Sequence, residues 1–398
     1  VARQARRRKG KAIQEGREGS PEVIGLIMTM PKKALILTPC TGIHQDITHL
    51  MWNNKTTLAS DRLQTLPLMR CLKNNNYQVQ VLSFNTIYTF KEINKIEQPD
   101  ICFIGKMRHN SKVEDGDKFC QFHLATVLNI KRKGAKIACI YSDNVCEYND
   151  QDAEMYKNFL YLSDIVITPS KKLEAYASKR VGPKTLLTTI PDPLIHDQKP
   201  FKRLSPRSTC RLIWFGHNKN MSYLQDILPS LINNANKNKN YVLTILASDS
   251  ALNQFKERTL KCLPKLNNWT LRLVPWDIHD QPSQFIRELG ESHISLIPSD
   301  PYDTLKNGVS HNRLTDSIQL GCIALASPMD SYIELSKVCL IGKDFSKLLN
   351  KAILENGRLC SKYEALRPEI LERFSPKKNL LFWEETIKAL DKNLEIVK

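Results

Sequence analysis

"HISLIPSDPYDTLKNGVSHNRLTDSIQLGCIALASP", residues 293–328, reads as a strand, a polar loop, a helix and a second strand. Its first run, Ile294–Ile297, is short and apolar and is followed by Pro298 and Ser299. Helical spacing then puts Leu314 and Ile318 on one buried face of a helix starting near Asn312, and Gly321 is a natural stop. "CIALASP" is the next strand. Strands that show continuous apolar runs, joined by a crossover helix, make a β-α-β unit in a parallel sheet covered on both faces.

The same alternation runs outward in both directions. In the first half, "KKALILTP", "YQVQVLSF", "DICFIGKM", "AKIACIYSD", "DIVITPS" and "TLLTTIPDP" are strand-like. Between them, "DRLQTLPLMRCLKNNN", "FCQFHLATVLNIKRKG", "AEMYKNFLYLS" and "KKLEAYASKR" have helical spacing. The pattern restarts at "CRLIWFG" and continues through "SYLQDILPSLINNANKN", "YVLTILAS", "NWTLRLVPW" and "PSQFIRELGES". A Pro- and charge-rich joint lies at 190–209. The expected architecture is α/β, with two tandem Rossmann-like doubly wound domains. Residues 32–195 form the first and 196–375 the second. Residues 376–398 are a crossover helix packing back on the first, with Leu380, Leu381 and Trp383 as anchors.

Composition agrees with a globular protein. Of 398 residues 41% are hydrophobic and 25% charged, and no run approaches the roughly 20 apolar residues of a membrane span. Eleven cysteines are scattered without a C-x-x-C pair, which argues against zinc or a disulfide framework and for a reducing cytoplasm. Formal net charge is +17, and residues 1–33 alone hold nine Lys/Arg against three Glu. Residues 1–31 are therefore read as a disordered basic tail, with Met28 or Met30 expected as the true start and the residues before it as a mis-extended reading frame. A basic surface attracts nucleic acid, anionic lipid or phosphorylated small molecules. No helix-turn-helix, zinc-finger or RNA-recognition signature is present, so no specific nucleic acid is expected.

In doubly wound sheets ligands bind beyond the C-terminal strand ends, so the residues just after each strand matter most. Gly216 lets backbone approach a ligand, and His217 and Lys219 follow it, with Ser222 as the expected cap of the next helix. Ser310, Asn312 and Arg313 stand at the start of the 312–319 helix, where free amides, the helix dipole and a bidentate guanidinium suit a phosphate. Asp316, one turn in, is placed to accept from ribose hydroxyls, and Asp143, after a strand of the first half, to deprotonate a sugar hydroxyl. Trp276 and the loop holding Gly42, His44 and Asp46 are weaker candidates, for a base and for an acceptor. Neither G-x-G-x-x-G nor a P-loop occurs at these turns.

In "SDIVITPSKKLEAYASKR", "IPDP", "RLIWFGH" and "SHNRLTDSIQLGCIALASP", over roughly residues 34–390, the chain resembles GT-B glycosyltransferases, more narrowly the group 1, family 4-like enzymes. Asp316, five residues before Gly321, stands where the family has a ribose-contacting Glu. The family's second Glu would fall at Gly308. The resemblance implies transfer of a sugar from a nucleotide-diphosphate donor to an acceptor hydroxyl on a polysaccharide, lipid-linked or other glycan. Donor contacts would come from Gly216, His217, Lys219, Ser310, Asn312, Arg313 and Asp316, and Asp143 would be catalytic. No D-x-D suited to a metal-bridged diphosphate occurs, so no metal or other cofactor is expected. The expected location is cytoplasmic, with peripheral contact to anionic lipid at the inner membrane face. The alternatives are a non-catalytic nucleotide-sugar binder, motivated by Gly308, or another enzyme on the same plan such as an epimerase or polyol-phosphate transferase.

Overall fold

The computed structural model describes residues 31–38, 48–49, 60–83, 96–107, 115–260, 263, 267–277, 281–306 and 308–395. The tail through residue 30, and Gly42, His44 and Asp46, lie outside them.

The first sheet comprises β1 (Lys32–Thr38), β2 (Tyr77–Ser83), β3 (Ile101–Ile104), β4 (Lys136–Ile140), β5 (Ile165–Thr168) and β6 (Leu186–Thr189), in the order β2-β1-β3-β4-β5-β6. Every pairing is parallel. Its helices are α1 (Leu66–Asn74), α2 (Gly116–Arg132), α3 (Gln151–Leu162) and α4 (Lys171–Ala177). Successive strand side chains point to opposite faces. Leu35 and Leu37 accordingly join a core with α2 and α3, while Ala34 and Ile36 join a separate core with α1.

The second sheet repeats the plan with β7 (Cys210–Phe215), β8 (Tyr241–Ala247), β9 (Trp269–Pro275), β10 (Ile294–Ile297), β11 (Ile323–Ala326) and β12 (Leu340–Ile341). Their order is β12-β11-β10-β7-β8-β9, again all parallel. Around it run α5 (Met221–Asn234), α6 (Asp249–Arg258), α7 (Gln281–Glu291), α8 (Asn312–Gln319), α9 (Asp330–Ile333), α10 (Phe345–Leu354) and α11 (Asn356–Leu371). The unit quoted at the outset is β10-α8-β11, with Ile294 paired to Ile323 and Ile297 to Ala326. Leu314 and Ile318 are fully buried, as the spacing predicts. Gly321 ends α8 at φ +77°, and a Cβ there would lie 2.1 Å from the Pro200 carbonyl oxygen, so only glycine fits.

α12 (Pro376–Glu395) returns to the first sheet. Trp383, Ile387 and Leu390 complete the core beneath α1, and Trp383 meets Phe103 edge-on at 6.4 Å. Leu380 packs there in part, but Leu381 is 40% exposed. The buried stripe follows 383, 387 and 390, one helical face, and Leu381 falls off it. The expected cap at Ser222 also differs. A 3₁₀ turn, Asn218–Asn220, precedes α5, and the His217 imidazole caps it by accepting from Lys219 N at 3.3 Å. Among the described residues no helix is long and apolar enough to cross a membrane.

Candidate functional site

The loops after the strands of the two sheets meet one another. Asn144 Nδ2, beyond β4, donates to the Thr304 carbonyl at 3.1 Å, and Ser170 Oγ, beyond β5, donates to the Gly308 carbonyl at 2.5 Å. Lys172 of α4 pairs with Asp330 of α9 at 2.5 Å. The cleft between the halves is therefore bounded by residues that follow strands on both sides.

On the second-sheet side, Arg313 in the first turn of α8 lies against the end of β7. Its guanidinium carbon is 5.7 Å from the Trp214 ring centre and 5.4 Å from that of Phe215. A Cβ on Gly216 would lie 3.6 Å from it, in ordinary contact, so Gly216 and the guanidinium are immediate neighbours. Nε and Nη2 are shut off from solvent and have no hydrogen-bond partner among the described residues. Burial pushes the guanidinium below its ordinary value, with Tyr332 pulling the other way. A buried, unpaired cationic donor costs free energy until an anion arrives, which makes this the strongest ligand signal in the cleft.

The start of α8 is fixed from behind. His311 is 2% exposed, lies edge-on to Phe374 at 5.2 Å and contacts the Glu334 carboxylate. Glu334 also accepts from Arg373 Nη1 at 2.7 Å. Burial works against its charge, but the bonds from His311 and Arg373 prevail and hold its carboxyl down to about 2. Asn312 Oδ1 accepts from Arg313 N at 2.8 Å, so this side chain serves its own turn.

Ser310 and Asp316 face the first half. Ser310 Oγ donates to Asp192 Oδ2 at 2.5 Å. Asp192 Oδ1 accepts from Gln64 Nε2 at 3.1 Å, and Gln64 Oε1 accepts from Ser142 Oγ at 2.8 Å. This chain runs from beyond β4, through the joint, to the mouth of α8. Burial raises the Asp192 carboxyl, and the bonds from Ser310 and Gln64 oppose the rise. Asp316 is pushed up to about 7 by burial and next by Asp192, while Arg62 draws it down. It thus sits in a charged pocket shared with the first half.

Asp143 is ion-paired with Lys106, which follows β3. Lys219 and Lys306 form no ion pair among the described residues. His217 lies among all three lysines. Burial lowers its imidazole first, and Lys219, Lys306 and Lys106 each add to the fall. Trp276, beyond β9, leans on Phe285 at 6.1 Å, and Phe285 meets Phe215 at 5.1 Å, giving an aromatic wall beside Gly216.

Of the eight expected site residues, seven lie on loops or in the first turn of a helix, and Asp316 lies in the second turn of α8. The geometry groups Gly216 with Arg313, His217 with Lys219, and Asp143 with Lys106. Ser310 and Asp316 belong with Asp192, and Asn312 caps locally. Sequence reading passed over Gln64, Lys106, Asp192 and Lys306, although Asp192 stands in the quoted "IPDP" and Lys306 in the loop before Ser310. Among the described residues, no three or more His, Cys, Asp or Glu are grouped to hold a metal. A cavity of about 630 Å³ between α5 and α10 involves none of the cleft residues.

No protein-family model matches the chain, and no curated protein matches it significantly. Solved structures do. Anabaena HepE, determined in complex with UDP-glucose, is similar with a TM-score of 0.61 at 10% identity, over 90% of this chain and 99% of that one. Sucrose-phosphate synthase from Thermosynechococcus elongatus matches with a TM-score of 0.60 at 10% identity, over 92% of this chain and 100% of that one. A glycosyltransferase from Rickettsia africae matches with a TM-score of 0.58 at 12% identity, over 91% and 99%. The chain has the two-domain GT-B glycosyltransferase fold.

Proposed function

We propose that this protein transfers a sugar from a nucleotide-diphosphate sugar to an acceptor hydroxyl. The observation that carries the reading is Arg313, a buried guanidinium with two unpartnered donors at the end of β7 in a GT-B fold. A diphosphate supplies the missing acceptors, and Lys219 and the α8 amides add positive potential. Gly216 admits the phosphate close to backbone. The base lies toward Trp276 and Phe285, and Asp316 takes the ribose side.

In the transfer, the bond between the sugar anomeric carbon and the β-phosphate oxygen breaks, and its electron pair leaves on that oxygen. The acceptor oxygen forms the new bond to the anomeric carbon, and its proton passes to Asp143, which Lys106 holds in place. Preorganised cations and amides stabilise the departing charge, so the reaction as proposed needs no divalent metal. The acceptor is a polysaccharide, lipid-linked or other glycan. The basic surface fits a cytoplasmic protein working peripherally at an anionic membrane face.

Calorimetric titration with UDP, GDP, CDP and ADP, followed by product analysis with the labelled sugar of the matching nucleotide, tests this. Binding of one diphosphate that is lost in Arg313→Ala, together with transfer to a hydroxyl acceptor, is the expected outcome. One observation favours a second reading, a non-catalytic binder. Gly308 has φ +145°, a backbone conformation that strains any L side chain, so a carboxylate is disfavoured at that position. Diphosphate binding without turnover or donor hydrolysis would select that reading.

A further inference from the structure

Asp143 and Lys106 sit on separate loops, one beyond β4 and one beyond β3, and each loop is tied down by a buried tyrosine. Tyr156 of α3 is one of them. Its phenol oxygen accepts from Met107 N at 2.6 Å and donates to the Gly105 carbonyl at 3.5 Å, so one atom grips the chain on both sides of Lys106. Tyr141, the other, directly follows β4. Its phenol donates to Asn144 Oδ1 at 2.9 Å and accepts from Cys146 N at 3.1 Å, closing the turn that carries Asp143. The two rings lie 5.8 Å apart in the core that α2 and α3 share with the first sheet.

Packing alone does not call for either hydroxyl. A phenol oxygen in an apolar core costs free energy unless it is bonded, and phenylalanine fills nearly the same space without that cost. Here each oxygen directs its hydrogen bonds to a single strand-end loop. Burial raises both phenols well above their ordinary value, so they stay neutral and serve as fixed ties, not as acids or bases. The side chains presented by the two loops are of another kind. Lys106 and Asp143 are ion-paired with each other and are 37% and 30% exposed, within reach of a substrate.

Resting on the reading of Asp143 as the acceptor base, we propose that Tyr141 and Tyr156 are positioning residues for the transfer: Tyr141 sets the Asp143 carboxylate, Tyr156 sets the Lys106 ammonium, and together they hold that pair at the acceptor oxygen. In the transfer the acceptor O–H bond breaks and its proton passes to Asp143. The electron pair of that bond forms the new bond to the anomeric carbon, and the pair of the anomeric C–O bond leaves on the β-phosphate oxygen. A carboxylate displaced by about 1 Å meets that proton poorly, and a shift of this size costs up to about 100-fold in rate. Arg313 and Gly216 lie on the second half and take no part in these ties. The tyrosines therefore act on proton transfer and not on donor binding.

The test uses the full chain and the nucleoside diphosphate that the wild type binds. Tyr141→Phe and Tyr156→Phe keep the ring and remove only the tie, and both should still unfold cooperatively in urea. Each should lower kcat for sugar transfer by roughly 5- to 50-fold while the diphosphate Kd stays within about twofold. Asp143→Asn should lower kcat further. Adding either phenylalanine to Asp143→Asn should then change kcat less than about twofold, because no carboxylate is left to position. A general weakening of the structure would instead lower kcat by the same factor in both backgrounds. Wild-type kcat in the phenylalanine variants, a matching loss of diphosphate affinity, or effects that simply multiply with Asp143→Asn would overturn the proposal and leave the acceptor-base reading standing. Undiminished kcat in Asp143→Asn would overturn that reading and the proposal with it, as would a wild type that transfers no sugar.

Discussion

Replacing Arg313 with methionine should make the empty protein more stable and the liganded one far weaker. Nε and Nη2 are inaccessible and unpaired, and each such donor costs about 1–3 kcal/mol. The ring faces of Trp214 and Phe215 return about 0.5–1 kcal/mol each. Methionine keeps the length and the ring contacts and removes both orphan donors. The net gain in unfolding free energy is therefore roughly 0–5 kcal/mol, centred near 2–3, read by urea denaturation of ligand-free protein. In calorimetry the same variant should lose about 1.5–3 kcal/mol of diphosphate affinity, some 10- to 150-fold, the scale of a hydrogen bond to a charged group. Lower stability with undiminished nucleotide affinity would mean that the guanidinium is a packing element, and the donor site would have to be sought elsewhere. The opposed signs matter, because a variant that merely misfolds loses both properties together.

Gly308→Ala should cost about 1–2 kcal/mol in denaturant unfolding, since φ +145° strains any L side chain. Gly308→Glu should likewise fail to raise turnover, and a gain in kcat there would contradict the strain described. Asp316 has its folded-state carboxyl raised to about 7, so the folded protein holds that proton more tightly than the unfolded chain. Relative to Asp316→Asn, wild-type stability should therefore fall as pH rises from about 4 through 7 and level off above, and parallel pH–stability curves for the two proteins would refute the burial argument. Trp383→Ala should cost about 3–5 kcal/mol, while Leu381→Ala should stay within about 0.5 kcal/mol, as denaturation midpoints of the pair will show.

The architecture was legible because parallel strands announce themselves. Ile294–Ile297 and Ile323–Ala326 are buried throughout and, Ser295 apart, apolar, and Gly321 marks the helix end that its φ requires. The helices at 249–258, 345–354 and 356–371 went unread, although each follows an N-cap or turn residue. The site was legible by position and not by partnership. Strand ends pointed to Gly216, Arg313 and Asp143, because fold topology puts those ends at the cleft. Nothing local in the sequence joins Ser310 to Asp192, or Lys106 to His217. Those pairs form only when two halves far apart in the chain come together, and the charges that decide the chemistry are of that kind.

The return of α12 has a consequence for how the protein is made. The core face containing Ala34, Ile36, Leu68 and Leu72 is closed by Trp383, Ile387 and Leu390. During synthesis that apolar face has its strands and α1 early, yet lacks its lid until the ribosome has added the whole second sheet, on the order of tens of seconds. Throughout that interval the nascent first half is an incomplete domain with a sticky flank, a natural client for a holding chaperone. Stop codons before residue 383 should then expose the first half to aggregation or proteolysis even though the second half is almost entirely present.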